Sequence, residues 1–159
     1  MSVENQYAQT IAIVYPAVAP TDDYELPIDR EINTHVTINV LGEIPEVYFS
    51  KDELIAVLRN IEWEEITEAG VEQLALFGIS NDFLVMTLDA PALQKNRKLV
   101  NEALADAGIL SLDKFPDYRP HITLRENYDG LLAPTDELPE TVKLGLPTLW
   151  WGNEAVSLS

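Results

Sequence analysis

Cysteine is absent from this chain of 159 residues, histidine occurs only twice, and ten Lys and Arg residues stand against 27 Asp and Glu. Without cysteine there is no disulfide and no thiolate metal site, and a cytoplasmic protein is the simplest expectation. No apolar run approaches the roughly 18 residues of a membrane span, so a membrane is not an expected partner. The opening MSVENQYAQT lacks the basic flank and apolar stretch of a signal peptide. The scarcity of cations leaves a formal net charge of −17. Nucleic-acid affinity comes largely from neutralising phosphates, so long nucleic acid is not an expected partner either. A small nucleotide in a locally basic pocket fits this charge, and so does plain solubility. The length suits one domain over residues 1–159, able to bury about 70% of its unfolded surface.

Both histidines open the same pattern: His35-Val36-Thr37-Ile38 and His121-Ile122-Thr123-Leu124. With ten threonines and 47% apolar residues, a given His would open it about once in seventy, and both about twice in ten thousand, when template matches are counted. On a strand, side chains alternate between faces. Val36, Ile38, Ile122 and Leu124 then face a core, while His35, Thr37, His121 and Thr123 face outward. Two strands each present an imidazole beside a hydroxyl.

Along the chain, residues 7–15 read as a central strand and 16–27 as a long loop rich in Pro and Asp. A second strand over 31–41 carries the first motif. Its alternation puts Asn33 and Asn39 on the face of His35. A helix is expected over 51–61, with Ser50 and Glu53 as a capping box. One bent strand or two short ones follow over 64–77, with Gly70 at a bulge, then a turn over 78–82 and a strand over 83–88. A second helix is expected over 90–107, capped by Asp89 and stopped at Gly108. Its Lys95, Arg97 and Lys98 read as a solvated face. The second motif lies on a strand over 119–125, with Arg119, His121, Thr123 and Arg125 outward. Pro134 and Pro139 bracket an acidic loop. The tail over 142–159 reads as strands turning at Gly152-Asn153. There, one of Trp150 and Trp151 faces the core and the other does not. A motif strand and a helix in each half suggest two similar lobes around a cleft.

Two histidines facing one cleft suit acid–base chemistry at a phosphodiester. An imidazole with a pKa near 6.5 can serve as neutral base or protonated acid near pH 7. One His takes a proton from the attacking water or ribose hydroxyl while the other protonates the leaving oxygen. The threonine hydroxyls can donate to non-bridging phosphate oxygens. Arg119 and Arg125 are candidates for phosphate binding. Tyr15, Tyr118 and Trp150 are candidates for stacking on a base, and Asn39 for a polar substrate contact. The competing readings are satisfied core histidines and a two-His metal site completed by carboxylates. No spacing such as H-x-x-x-H supports a metal, and no nucleophile-elbow motif supports a Ser–His pair. No metal or other cofactor is expected.

Paired His-apolar-Thr-apolar motifs 86 residues apart resemble the 2H phosphoesterase superfamily, also called LigT-like. The stretch Arg119-Pro120-His121-Ile122-Thr123-Leu124 is the closer match, and the order of strands, helices and motifs is similar over most of the chain. The resemblance implies an α+β, bilobal fold, with two antiparallel sheets and outer helices around a central cleft. It implies a metal-independent phosphodiesterase whose catalytic quartet is His35, Thr37, His121 and Thr123, with either His able to take either role. The acidic charge and the lack of a basic residue beside the first motif favour a small cyclic or oligomeric nucleotide over an RNA end. Short acidic members of this kind are similar to phage anti-CBASS phosphodiesterases, which would act in the host cytoplasm. The alternatives are a 2′,3′-cyclic RNA-end phosphodiesterase and a module that binds a nucleotide without turnover.

Overall fold

A computed structural model describes residues 9–17, 34–78, 80–109, 118–126, 128 and 138–158. Among the described residues, eight strands form one curled antiparallel sheet, accompanied by two α-helices and a single 3-10 turn at Ile44–Glu46. In chain order these are β1 (Thr10–Pro16), β2 (His35–Glu43), α1 (Lys51–Arg59), β3 (Glu68–Phe77), β4 (Phe83–Asp89), α2 (Pro91–Asp106), β5 (His121–Arg125), β6 (Thr141–Lys143), β7 (Thr148–Trp151) and β8 (Glu154–Ser157). Across the sheet they run β6-β3-β4-β5-β2-β1-β7-β8. The two motif strands are therefore neighbours at the centre, with three strands outside each.

The expected pair of sheets is one sheet. Val36 pairs with Ile122 and stitches the halves together. Four strands lie on either side of that seam.

The core lies on one face. Val36, Ile38, Ile122 and Leu124 from the motifs pack there with Ile11, Ile13, Leu84 and Met86. Leu54 and Leu58 of α1, and Leu93, Val100 and Leu104 of α2, pack on them. Each such side chain contributes about 1.5–3 kcal/mol on burial. The apolar places in the two motifs are thus filled because alternation sends them toward the helices.

Several boundaries differ from expectation for identifiable reasons. Helix α1 begins where expected, with Ser50 Oγ accepting from the Glu53 N–H at 3.1 Å, but it ends at Arg59. Asp89 is not the cap of α2: it stays in the ladder opposite Gly70, so Ala90 takes the N-cap position without a side-chain bond. β3 starts at Glu68 rather than residue 64. Asn96 of α2 accepts from Glu64 N at 2.8 Å and donates to Glu64 O at 2.9 Å, which holds that segment against the helix instead of in the sheet. A bulge falls between Val71 and Gln73, beside Gly70. Gly78, at φ +96, opens the turn into β4, where a Cβ would meet the Phe83 ring at 2.9 Å. The tail strands turn at Gly152 as expected. Beyond residue 17, the expected 16–27 loop lies outside the described residues, as do 31–33 and most of the acidic loop. Among the described residues, no helix is long and apolar enough to cross a membrane.

Candidate active site

The Val36–Ile122 pair sets the site. The strands are antiparallel, so the next residues outward along the ladder bring Thr37 toward His121 and His35 toward Thr123. All four side chains leave the sheet on the face away from the helices. The two imidazoles sit on a cross-strand diagonal, a separation of about 7–8 Å between backbones and somewhat less at Cβ in regular antiparallel pairing. All four residues are half-buried, and among the described residues no hydrogen bond occupies either threonine hydroxyl.

Both motif strands carry a bulge at the fourth position of the motif. Against β1, Thr37 pairs with Val14 and Asn39 with Ile13, leaving Ile38 extra. Against β4, Thr123 pairs with Val85 and Arg125 with Leu84, leaving Leu124 extra. An added residue reverses the alternation beyond it. The bulge overturns two expectations. Asn39 does not share the face of His35: it turns to the helix side, is buried, and donates to Asn101 Oδ1 of α2 at 2.8 Å. Arg125 is set opposite the core residue Leu84, away from the quartet, and is exposed.

Tyr15 is also misplaced by the sequence reading. It pairs with Val36 and shares its core face. Its hydroxyl accepts from Asn96 Nδ2 at 2.8 Å, and burial pushes its pKa up to about 12. Tyr118 lies near the seam, but its hydroxyl is used within the protein, donating to Thr37 O at 2.8 Å. Its ring carries the Arg97 guanidinium 4.7 Å from the centroid, and Arg97 Nη1 donates to Ile38 O at 2.6 Å. Arg97 is therefore half-buried behind β2 rather than part of a solvated face.

Each histidine lies against an aromatic ring from two strands away. Trp150 of β7 approaches His35 with centroids 4.4 Å apart. Phe77 of β3 meets His121 edge-on at 4.9 Å. Trp151 takes the other face and packs edge-on to Phe49, so the tryptophan pair divides as expected. Phe77 is the residue sequence reasoning missed. It reaches His121 only because the sheet curls, and no local pattern encodes that. Arg119, expected near the site, is there, with its guanidinium 5.1 Å from the Phe77 centroid.

His121 Nδ1 lies 2.8 Å from Arg119 O. A carbonyl only accepts, so Nδ1 carries the proton and Nε2 presents its lone pair. Burial holds the His121 pKa below its ordinary 6.5; the nearby Arg119 charge adds to this, and the bond to Arg119 O opposes it. The neutral imidazole is thus favoured near pH 7. Among the described residues, no cluster of three or more His, Asp or Glu side chains is placed to hold a metal ion.

No protein-family model matches the chain, and no curated protein matches it in sequence. Solved structures do match. E. coli LigT complexed with NADP+ is 16% identical with a TM-score of 0.58, over 93% of this chain and 92% of LigT. A structure described as a phosphoesterase is 14% identical with a TM-score of 0.57, over 89% and 86% of the two chains. The MHV ns2 PDE domain is 14% identical with a TM-score of 0.50, over 86% of this chain and 99% of that domain. Similarity over nearly the full length of each identifies the fold of this chain as the one these phosphoesterase structures share, the 2H phosphoesterase fold.

Proposed function

We propose that the seam is the active site of a phosphodiesterase that cleaves a small cyclic or oligomeric nucleotide by paired acid–base catalysis. The observation that carries this reading is the diagonal His–Thr quartet created by the Val36–Ile122 pair. Two structural neighbours support the same reading: LigT was solved with 3′-AMP and with NADP+, and the MHV ns2 domain is described as a phosphodiesterase domain.

The roles follow from the chemistry of each side chain. His121, held neutral with Nε2 free, is the base: it takes the proton of the attacking water or ribose hydroxyl as that oxygen bonds to phosphorus. His35, at the other end of the same diagonal, gives a proton to the leaving oxygen as the second P–O bond breaks. Each imidazole ends in the other's starting state, so the net proton count is unchanged. Thr37 and Thr123 donate hydrogen bonds to the non-bridging oxygens, and Arg119 supplies positive charge. Trp150 beside His35 and Phe77 beside His121 supply aromatic rings against which bases can stack. The quartet needs no resident metal for these steps, and activity should persist in excess EDTA.

The net charge of −17 favours a small nucleotide over an RNA end. A cyclic signal of bacterial immunity, the anti-CBASS substrate class, fits that size and chemistry. The test is incubation with cyclic dinucleotides, cyclic trinucleotides, a 2′,3′-cyclic mononucleotide and a 2′,3′-cyclic RNA end, with products identified by mass spectrometry. Cleavage of the small cyclic substrates, lost in His35→Ala and His121→Ala, is the expected result. Preference for the RNA end would replace the substrate assignment. Intact ligand recovered after tight binding would replace catalysis with sequestration.

A further inference from the structure

We propose that Arg97 and Tyr118 are positioning residues for this site, acting as a wedge that holds β2 in the bulged form that aims Thr37 and His35. The inference rests on the reading of the seam as a catalytic site. In a regular strand, successive carbonyls point to opposite edges. Here the carbonyls of Thr37 and Ile38 are both taken by a single stacked pair of side chains. Tyr118 donates to Thr37 O at 2.8 Å and Arg97 to Ile38 O at 2.6 Å, while the guanidinium lies over the tyrosine ring. The extra residue at Ile38 is what allows two consecutive carbonyls to be gathered this way.

The wedge also ties together parts of the chain that are far apart in sequence. Arg97 comes from α2. Tyr118 lies three residues before His121, on the segment that leads into the second motif. One turn along the same face of α2, Asn101 accepts from Asn39 Nδ2. Three consecutive residues of β2, beginning at the catalytic threonine, are therefore fixed from behind by α2 and by the approach to β5. Neither Arg97 nor Tyr118 is placed to touch the phosphate, since the polar end of each is bonded to β2 backbone.

Turnover of the cyclic nucleotide panel by Tyr118→Phe and Arg97→Met tests this. Both should lower kcat about tenfold or more with KM within about twofold, since small misplacements of reacting groups act on rate. Arg97→Lys should fall between Arg97→Met and the parent, because an ammonium reaches one carbonyl but does not lie flat on the ring. The double variant should be no worse than the poorer single one, as for groups acting as a unit. Asn96→Ala is the control: it loosens the same helix without touching β2. Equal loss of kcat in Asn96→Ala at matched Tm would overturn the proposal, as would unchanged kcat in both single variants. A parent inert on every nucleotide would reject the catalytic reading instead. The wedge would then be read by amide hydrogen exchange over residues 36–39. Faster exchange in Tyr118→Phe supports it, and unchanged exchange sinks it.

Discussion

His121 Nδ1–H donates to the Arg119 carbonyl, and on the proposed reading this bond leaves Nε2 to act as the base. On the proposed mechanism, replacing either histidine by alanine would remove one half of a coupled proton transfer. We expect kcat/KM to drop by a factor of about 10²–10⁴ in His35→Ala or His121→Ala with the fold intact by circular dichroism. The depressed His121 pKa also sets a pH dependence. In the kcat/KM profile, the acid limb belonging to the base should have its midpoint below 6.5. For stability the sign is the same: the unfolded chain takes up this proton first. The contribution of His121 is therefore complete above 6.5 and is lost as pH falls through the folded-state value. An NMR titration of the imidazole, with Tm followed over the same range, checks both. A midpoint above 6.5 would make His121 the better candidate for the acid. At this scale the sequence was informative where alternation held and misleading where it broke. His35, Thr37, His121 and Thr123 keep period-two order. Asn39 and Arg125 lie one residue past a bulge, and residue identity alone carries no signal of that extra residue.

At the scale of elements, the bulges, caps and buried amides decide where each strand starts and which way it faces. Asn96 is fully buried and joins three segments: α2, the Tyr15 hydroxyl of β1, and the backbone of Glu64 before β3. Asn96→Ala leaves those groups without their partner in the interior. The expected loss is about 1–3 kcal/mol of unfolding free energy, measured by urea denaturation, with kcat near that of the parent. A neutral result would mean that the segment around Glu64 re-forms its bonds elsewhere. These ties explain why the strand expected over 64–77 begins late and why α2 read as amphipathic but not as a clamp. The hydrophobic stripe of a helix is local and visible in sequence. What its polar residues meet depends on the strands it crosses, which was not. Arg97 and Phe77 were passed over for that reason, whereas Trp150 was found because its doubled tryptophan forces one ring onto the outer face.

At the scale of the whole molecule, net charge and sheet architecture act together. A charge of −17 repels an anionic substrate at long range, although Arg119 sits beside the quartet. Screening weakens that repulsion over about 8–10 Å at physiological salt. For a multiply charged nucleotide, kcat/KM should therefore rise as ionic strength increases from low values to about 0.15 M. A steady fall would show that the local cation governs encounter. The sheet order is itself near-symmetric about the seam, with matching bulges and matching aromatic rings on each side. The two motifs hinted at this duplication, but the single continuous sheet was not readable, because one cross-strand pair decides it.

That pair carries an energetic consequence. Among the described residues, the two four-strand blocks meet at the Val36–Ile122 position of the ladder. On the proposed reading, a nucleotide held between the two motifs would span that junction and add its binding energy to the stability of the strand pairing there.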